Sequence, residues 1–472
     1  MMSLVRLLGV FAFLGCVKLG LTAGDEQAIF VNSGGQLVTS EMGSRAFETP
    51  YRHQKAKDLK RFAKGHDFFN ELWVLAPAPG VWGLGPTFNE ANCAGCHPRN
   101  SRANPIADGA PLEAGNLVRL GISDPSDPSN SLPHPIYGDQ LQDKAAENRV
   151  PFEGRARVDY DRQIFEYADG SSVELKKPVV TFTELNFGPL GDEIQISMRI
   201  APQVIGLGLL NSVSEEELLN IAKHQPEYGV SGRPNYVLDL ETERVVIGRF
   251  GWKAAQPNLK QQTASAFHSD IGATTFFFPE KNCPAAQIGC RELPSAAKCG
   301  GQGGCTGNQF RPEVLPSRLK SIVHYLDSLN IPARRIDDAH LIKEGEKYFE
   351  RTGCSVCHVQ RLTAGPDFSI EELRGMAFFP YTDLLLHDMG EALADNRSEG
   401  EASGSEWRTP PLWGLGLIKS ISGDLGLMHD GRAGSVEEAI LWHGGEAKRS
   451  RDAFASLLKS EREALISFVK SL

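Results

Sequence analysis

Apolar residues follow three patterns along the chain, and each predicts a different element. Near the start, Leu4 to Leu14 form an apolar run broken only by Arg6, with small residues following. The run is too short to span a bilayer, so it predicts the core of an export signal over residues 1–23, cleaved after Ala23. A weak lipoprotein box at Phe13-Leu14-Gly15-Cys16, with an acylated Cys16, is the alternative, and a buried N-terminal helix is the bland one. No later apolar run approaches 20 residues, so no transmembrane helix is expected in the mature chain.

The second pattern has three- and four-residue spacing. Ile322, Tyr325, Leu326 and Leu329 lie on one helical face, as do Leu465, Phe468, Val469 and Leu472. Ser460 and Glu463 suggest a capping box for the last helix. Strict alternation is the third pattern. Gln163–Tyr167 and Val173–Leu175 flank the turn signal Asp169-Gly170, and Tyr236–Asp239 with Arg244–Ile247 read as a second hairpin. The stretch from Ser123 to Pro135, rich in Pro, Asp, Ser and Asn, reads as loop.

Several markers occur twice in the same order. Gly65-His66-Asp67-Phe68-Phe69 matches Gly345-Glu346-Lys347-Tyr348-Phe349, and the two apolar helices above close their halves alike. Between them, Arg199-Ile200-Ala201-Pro202 leads into Gly206-Leu207-Gly208-Leu209, as Arg408-Thr409-Pro410-Pro411 leads into Gly414-Leu415-Gly416-Leu417. This predicts two copies of one small helical domain. The first, over residues 25–331, is enlarged by a β-hairpin-rich insertion at about 151–250; the second spans 332–472, after a boundary at Ile331-Pro332.

Composition narrows the function classes. The 472 residues carry a net charge of −10, which argues against nucleic acid or anionic lipid as the main partner. Nine cysteines are too few for a disulfide scaffold but more than a core of this size needs. Four of them, Cys283, Cys290, Cys299 and Cys305, fall in one loop (279–307) of a chain read as exported, and are expected to form two disulfides. A metal cluster there is the sharper reading, but the loop holds no His.

Four others carry the chemistry. Cys93-Ala94-Gly95-Cys96-His97 and Cys354-Ser355-Val356-Cys357-His358 are both C-x-x-C-H. That spacing lets two thiols form thioethers with the haem vinyl groups while the next imidazole ligates the iron. A thioredoxin-like pair needs no His, and a zinc site assembled from both motifs is the competing reading. Two covalent haems c are therefore expected, with His97 and His358 as proximal ligands. The fold class expected is mainly α: two cytochrome c-like haem domains, the first swollen by its insertion.

Further histidines are candidates for the remaining iron positions. His443 follows a short helical pattern (Val436, Ala439, Ile440) and precedes Gly444-Gly445, which permits close approach to a flat ring. His387, in Tyr381 to Gly390, is a candidate ligand, propionate partner or support to a ligand.

Together these segments resemble the bacterial di-haem oxidoreductases, described as peroxidases and sometimes labelled thiol oxidoreductases. The resemblance rests on Gly83-Leu84-Gly85-Pro86 with Phe88-Asn89, on Tyr381 to Gly390, on Glu406 to Gly414, and on His429-Asp430-Gly431-Arg432-Ala433 through Ala447. More distantly, the second half is similar to di-haem cytochrome c peroxidases and to the enzyme that matures a tryptophan-derived quinone. Those relatives place an electron-transferring haem in the C-terminal domain and a peroxide-reacting haem in the N-terminal one. Where the peroxidases carry a Met ligand, fourteen residues after the first His of the motif, this chain has His443. The resemblance thus implies a bis-His second iron of lower potential than His/Met ligation gives.

Matching Leu259 to Val436 sets Ala266 opposite His443, which would leave the first iron open to peroxide. Candidates for the proton-moving group there are His268, Gln262 and Asp270; alternatively His268 ligates the first iron. Arg199 and Arg408 are candidate partners of haem propionates. The resemblance also allows calcium between the haems, on carbonyls near Thr409 and Pro410. The function expected is an exported, periplasmic or envelope-bound peroxidase-like oxidoreductase. Electrons would come from a small cytochrome or cupredoxin, and the oxidant would be small, such as hydrogen peroxide. A pure electron carrier and a haem-based accessory of iron or copper acquisition are the competing classes. The loop cysteines lack a C-x-x-C pair, which disfavours thiol oxidation.

Overall fold

The computed structural model describes residues 34–35, 37–51, 54–75, 83–146, 149–293 and 311–472. The segment read as an export signal, with Cys16, and two of the four loop cysteines, Cys299 and Cys305, lie outside those residues. Among the described residues no helix is long and apolar enough to cross a membrane.

The repeat is visible as two matched helix pairs. The Ala56–Asn70 helix packs on the Pro316–Asp327 helix, and Ala339–Arg351 packs on Lys459–Ser471. Each opening helix carries a glycine at the crossing. A Cβ on Gly65 would sit 2.2 Å from the Ser321 carbonyl oxygen, and one on Gly345 would sit 2.0 Å from that of Ala464. Only the bare backbone lets the helices touch there. Aromatic contacts repeat too: Phe69 lies 5.4 Å from Tyr325, and Phe349 lies 5.2 Å from Phe468, centroid to centroid. Gly206 and Gly414 each open a short helix in the left-handed conformation, at φ 66° and 70°. The closing helix departs from the sequence reading at its start. It begins at Lys459, and Glu461 rather than Glu463 accepts the free N–H of Leu458, at 2.9 Å.

The mainly-α expectation does not hold. The chain is 32% helix and 21% strand, with many small sheets, a mixed α/β fold. Arg155–Glu166 and Ser172–Thr183 form a hairpin of twelve residues a side, much longer than its alternating tip suggested. Its outer strand tolerates Pro178 because it lies on the sheet edge. Asn116–Asp124 pairs with Ile194–Ile200, and Asp127–Leu132 adds a third strand inside the stretch read as loop. These strands carry so many charged and hydroxyl side chains on their open faces that the period-two signal is muted. The second hairpin, Tyr236–Asp239 with Arg244–Ile247, has the bounds expected.

One large apolar core runs through both halves, from Phe47, Phe69 and Tyr325 to Phe349, Trp413 and Phe468. A smaller one, around Val118, Leu120, Tyr137 and Ala156, lies beneath the inserted strands. At the joint of the halves, Ile331–Pro332 pairs in parallel with Val38–Thr39. Cys283 and Cys290 lie at disulfide distance, with Cα atoms 5.8 Å apart.

Candidate functional site

Between the helix pairs lies a cavity of about 1720 Å³, lined by both C-x-x-C-H motifs. This exceeds the roughly 300–1,000 Å³ that serves one drug-sized ligand. Around the first motif, the Asn92 side chain accepts from the Gly95 N–H at 2.7 Å and starts the Cys93–Cys96 turn. His97 follows, and its Nδ1–H donates to the Pro202 carbonyl at 2.7 Å. That carbonyl belongs to the repeated Arg199-to-Pro202 segment, so the repeat marker and the haem motif meet here. In the second copy, the Nδ1–H of His358 donates to the Tyr381 carbonyl at 2.9 Å. Phe69 sits 6.3 Å from the His97 ring and Phe349 sits 6.3 Å from that of His358. With Nδ1 committed, each ring keeps Nε2 as its available ligand atom. Burial lowers both imidazoles to about 4, against the opposing pull of the carbonyls, so both are neutral donors at ordinary pH.

The thiols are in the opposite condition to reactive ones. Burial first, then the charge of Asp270, pushes Cys93 up to about 12 and Cys96 higher; burial pushes Cys354 up to about 11. A thiol redox pair is activated by a lowered pKa.

His443 and Ala266 occupy equivalent places. Asn258 caps the Leu259–Ser269 helix by accepting from Gln261, and Ser435 caps Val436–Trp442 by accepting from Glu438. From these matched starts, His443 ends one helix while Ala266 lies on the cavity face of the other. The Nδ1–H of His443 donates to the Ala439 carbonyl at 2.7 Å, and burial lowers its pKa. Its Nε2 is thus the available ligand atom, in the cavity that His358 also lines.

In the first copy the cavity face of the helix carries Leu259, Gln262 and Ala266, and continues at Asp270. His268 does not belong to that face. Two residues on from Ala266 it points to the far side, its ring stacked on Phe278 at 5.2 Å. Asp270 is the titratable group that continues this helix face into the cavity. Burial raises its carboxyl to about 6, although Gln140 Nε2 donates to it at 2.8 Å. Gln140 stands in no motif and on no helix, and nothing in the sequence signalled it.

The arginines divide. Arg199 lines the cavity, but its guanidinium is held by Asp395 at 3.2 Å and Glu399 at 3.0 Å. As a propionate partner it is already taken, because two carboxylates occupy its fork. Lys253 joins the same buried group, 3.0 Å from Asp395 and 4.2 Å from the centre of the Trp407 ring, on which His429 stacks at 3.7 Å. Among the described residues the Arg408 guanidinium bonds only to carbonyls, those of Gly251 at 3.0 Å and Thr409 at 3.1 Å, and burial lowers its pKa to about 10. Arg102 and Arg249 also line the cavity and donate to backbone carbonyls. Each keeps a buried Nε–H without a partner among the described residues. Three cations face the cavity, Arg102 buried and Arg249 and Arg408 half-buried, none with a carboxylate paired to it among the described residues, which fits a group that brings anions of its own. Haem, with its propionates, is such a group. The sequence did not mark Arg102 or Arg249, since neither stands in a repeated segment. The Thr409 carbonyl, a candidate calcium ligand, accepts from Thr382 Oγ1 at 2.6 Å as well as from Arg408.

His387 lies beside the second motif. Its Nε2 is 2.9 Å from Asp383, its Nδ1 3.0 Å from Glu446, and Cys357 Sγ is 3.7 Å from Nδ1.

No curated protein matches the chain. A solved structure of hydrazine synthase from Kuenenia stuttgartiensis, pressurised with 20 bar xenon, is similar at 19% identity over 35% of this chain. This chain covers 56% of that protein's length, and the TM-score of 0.22 is too low to carry an inference. A family model described as "Di-haem oxidoreductase, putative peroxidase" matches residues 29–472, nearly the whole chain and both motifs that line the cavity. The chain belongs to the di-haem oxidoreductase family.

Proposed function

We propose that the protein is an exported c-type di-haem oxidoreductase of peroxidase type. Electrons enter at the second-half haem, and a small oxidant such as hydrogen peroxide is reduced at the first. The observation that carries this reading is the asymmetry between matched helices. One ends in His443 beside His358; the other offers only Ala266 at the equivalent place. Cys93, Cys96 and His97 would hold one haem, and Cys354, Cys357, His358 and His443 the other. Arg102, Arg249 and Arg408 would neutralise propionates. When bound, haem iron supplies the electron-accepting and O–O-cleaving chemistry.

The chain's own part is to leave one coordination position open and to move protons there. Ala266 leaves the room, with a methyl group where the other copy has an imidazole. Asp270, with a pKa of about 6, can accept a proton from an incoming hydroperoxide and return it to the departing oxygen. Gln140 fixes the carboxylate by donating to it, and Gln262 lines the same face.

Pyridine haemochrome analysis combined with spin-state spectra tests the reading. Two haems c per chain, one high-spin and one low-spin, and saturable reoxidation of half-reduced protein by peroxide are expected. Two low-spin irons inert to peroxide would make the protein an electron carrier instead. A chain without covalent haem would end the proposal.

A further inference from the structure

The Tyr381–Gly390 segment, whose first carbonyl holds His358, also carries His387, clasped at both ring nitrogens. His387 is 2% exposed and sits in the Leu386–Asp388 strand, paired with Trp407. Both of its ring nitrogens face carboxylate oxygens, Asp383 at 2.9 Å and Glu446 at 3.0 Å. An acceptor on each side requires a proton on each nitrogen, which makes the ring a buried cation. Burial alone would lower its pKa; the carboxylates outweigh burial and raise it.

Each carboxylate is itself held in place. Asp383 accepts from the Gln225 amide at 3.1 Å and from the Leu385 N–H at 3.0 Å. Glu446 accepts from the Ser231 N–H at 2.9 Å and from the Ser231 hydroxyl. The packing around the clasp is close: a Cβ on Gly232 would meet the His387 ring at 2.5 Å, and one on Gly445 would meet the Asp388 carbonyl at 2.2 Å.

Two parts of the second-half site meet at this cation. On one side is Cys357, 3.7 Å away, the cysteine next to His358. On the other is Glu446, three residues beyond His443 and joined to it by Gly444-Gly445. Glu446 adds a charged anchor to the exit of the His443 helix, where Gly444 and Gly445 already pack closely on the Met389 and Asp388 carbonyls. A fixed charge 3.7 Å from the Cys357 sulfur would also act on a haem attached there. A cation stabilises the reduced, more electron-rich iron, and a carboxylate stabilises the oxidised one.

We propose that His387, clasped between Asp383 and Glu446 against the Cys357 sulfur, is a positioning residue that sets the potential of the second-half haem and anchors the His443 segment. The proposal rests on the haem assignment above. Because the two partners carry opposite charge, it predicts shifts of opposite sign, which a merely structural role would not produce.

The test is an optical redox titration of the full holoprotein, following the low-spin haem, for wild type, His387→Gln and Glu446→Gln. His387→Gln is expected to lower the midpoint potential and Glu446→Gln to raise it. Each shift should reach about a tenfold change in the oxidised-to-reduced ratio, which is 59 mV for one electron. Glu446 is less buried than His387, so Glu446→Gln keeps the test open should His387→Gln fail to fold. Potentials that stay within error of wild type, or move in the same direction, overturn the proposal. A wild-type chain lacking covalent haem overturns instead the assignment on which it rests.

Discussion

In the proposed reaction Asp270 serves the first half and His443 the second. Asp270 is protonated below about pH 6 and cannot then accept a proton from peroxide. The rate of reaction with peroxide should therefore rise as pH passes upward through about 6. Asp270→Asn should flatten that limb and slow the reaction by about 10²-fold or more, read by stopped-flow at fixed peroxide. At the other iron, His443→Met should keep the haem low-spin while raising its potential; unchanged spectrum and potential would remove His443 from the iron. The C-x-x-C-H motifs stand out by spacing and His443 by its helical pattern and its offset from His429 in the resemblance, and the fold brings all three to one cavity. His268 misled because a His close to a matched helix position attracts attention, whereas the helix turns it away from the cavity. Gln140, Arg102 and Arg249 were invisible, since only the fold brings them to the cavity wall.

Helices and strands were legible to different degrees, for a physical reason. The four repeated helices each bury a stripe of apolar residues against one partner, and the 3.6-residue period survives in the sequence. Their crossing glycines appeared as the first letter of a repeated marker, without any sign of what they touch. Gly345→Ala tests that role. The new methyl would overlap the Ala464 carbonyl in a crossing with no room to relax. Overpacking of this kind costs about 1–3 kcal/mol, against about 1 kcal/mol gained from helix propensity. Chemical denaturation should show a net loss, whereas an unchanged or raised midpoint would mean that the helices slide apart without cost. The strands were read short because they lie half in solvent. Asp127–Leu132 in particular holds turn-forming residues that pair only because Asn116–Asp124 is there to receive them.

At the scale of the whole molecule, the inserted hairpin does more than enlarge the first half. Its base packs on the small core of Ile106, Val158 and Met198, but Tyr167 and Leu175 near its tip are buried in the main core. There the arm reaches the second half. The Tyr167 hydroxyl donates to Glu437 at 2.9 Å, on the helix that ends in His443. Arg462, from the closing helix, pairs with Asp169 at 2.8 Å and lies 3.8 Å over the Tyr167 ring. The turn from Tyr167 to Ser171 is thus held by residues nearly three hundred positions away, and no period in the sequence could have announced it. Arg462→Ala removes the guanidinium that contacts both the ring and the carboxylate, and should free the tip while the hairpin ladder stays intact. Limited proteolysis of the holoprotein should then cut at this turn about tenfold faster than in wild type, because cleavage tracks the population of the opened arm. Haem content should be unchanged, since Arg462 is not among the residues lining the cavity. If the two proteins were cut at equal rates, Arg462 would not be what fastens the tip, and the Tyr167–Glu437 hydrogen bond with the burial of Tyr167 and Leu175 would hold it.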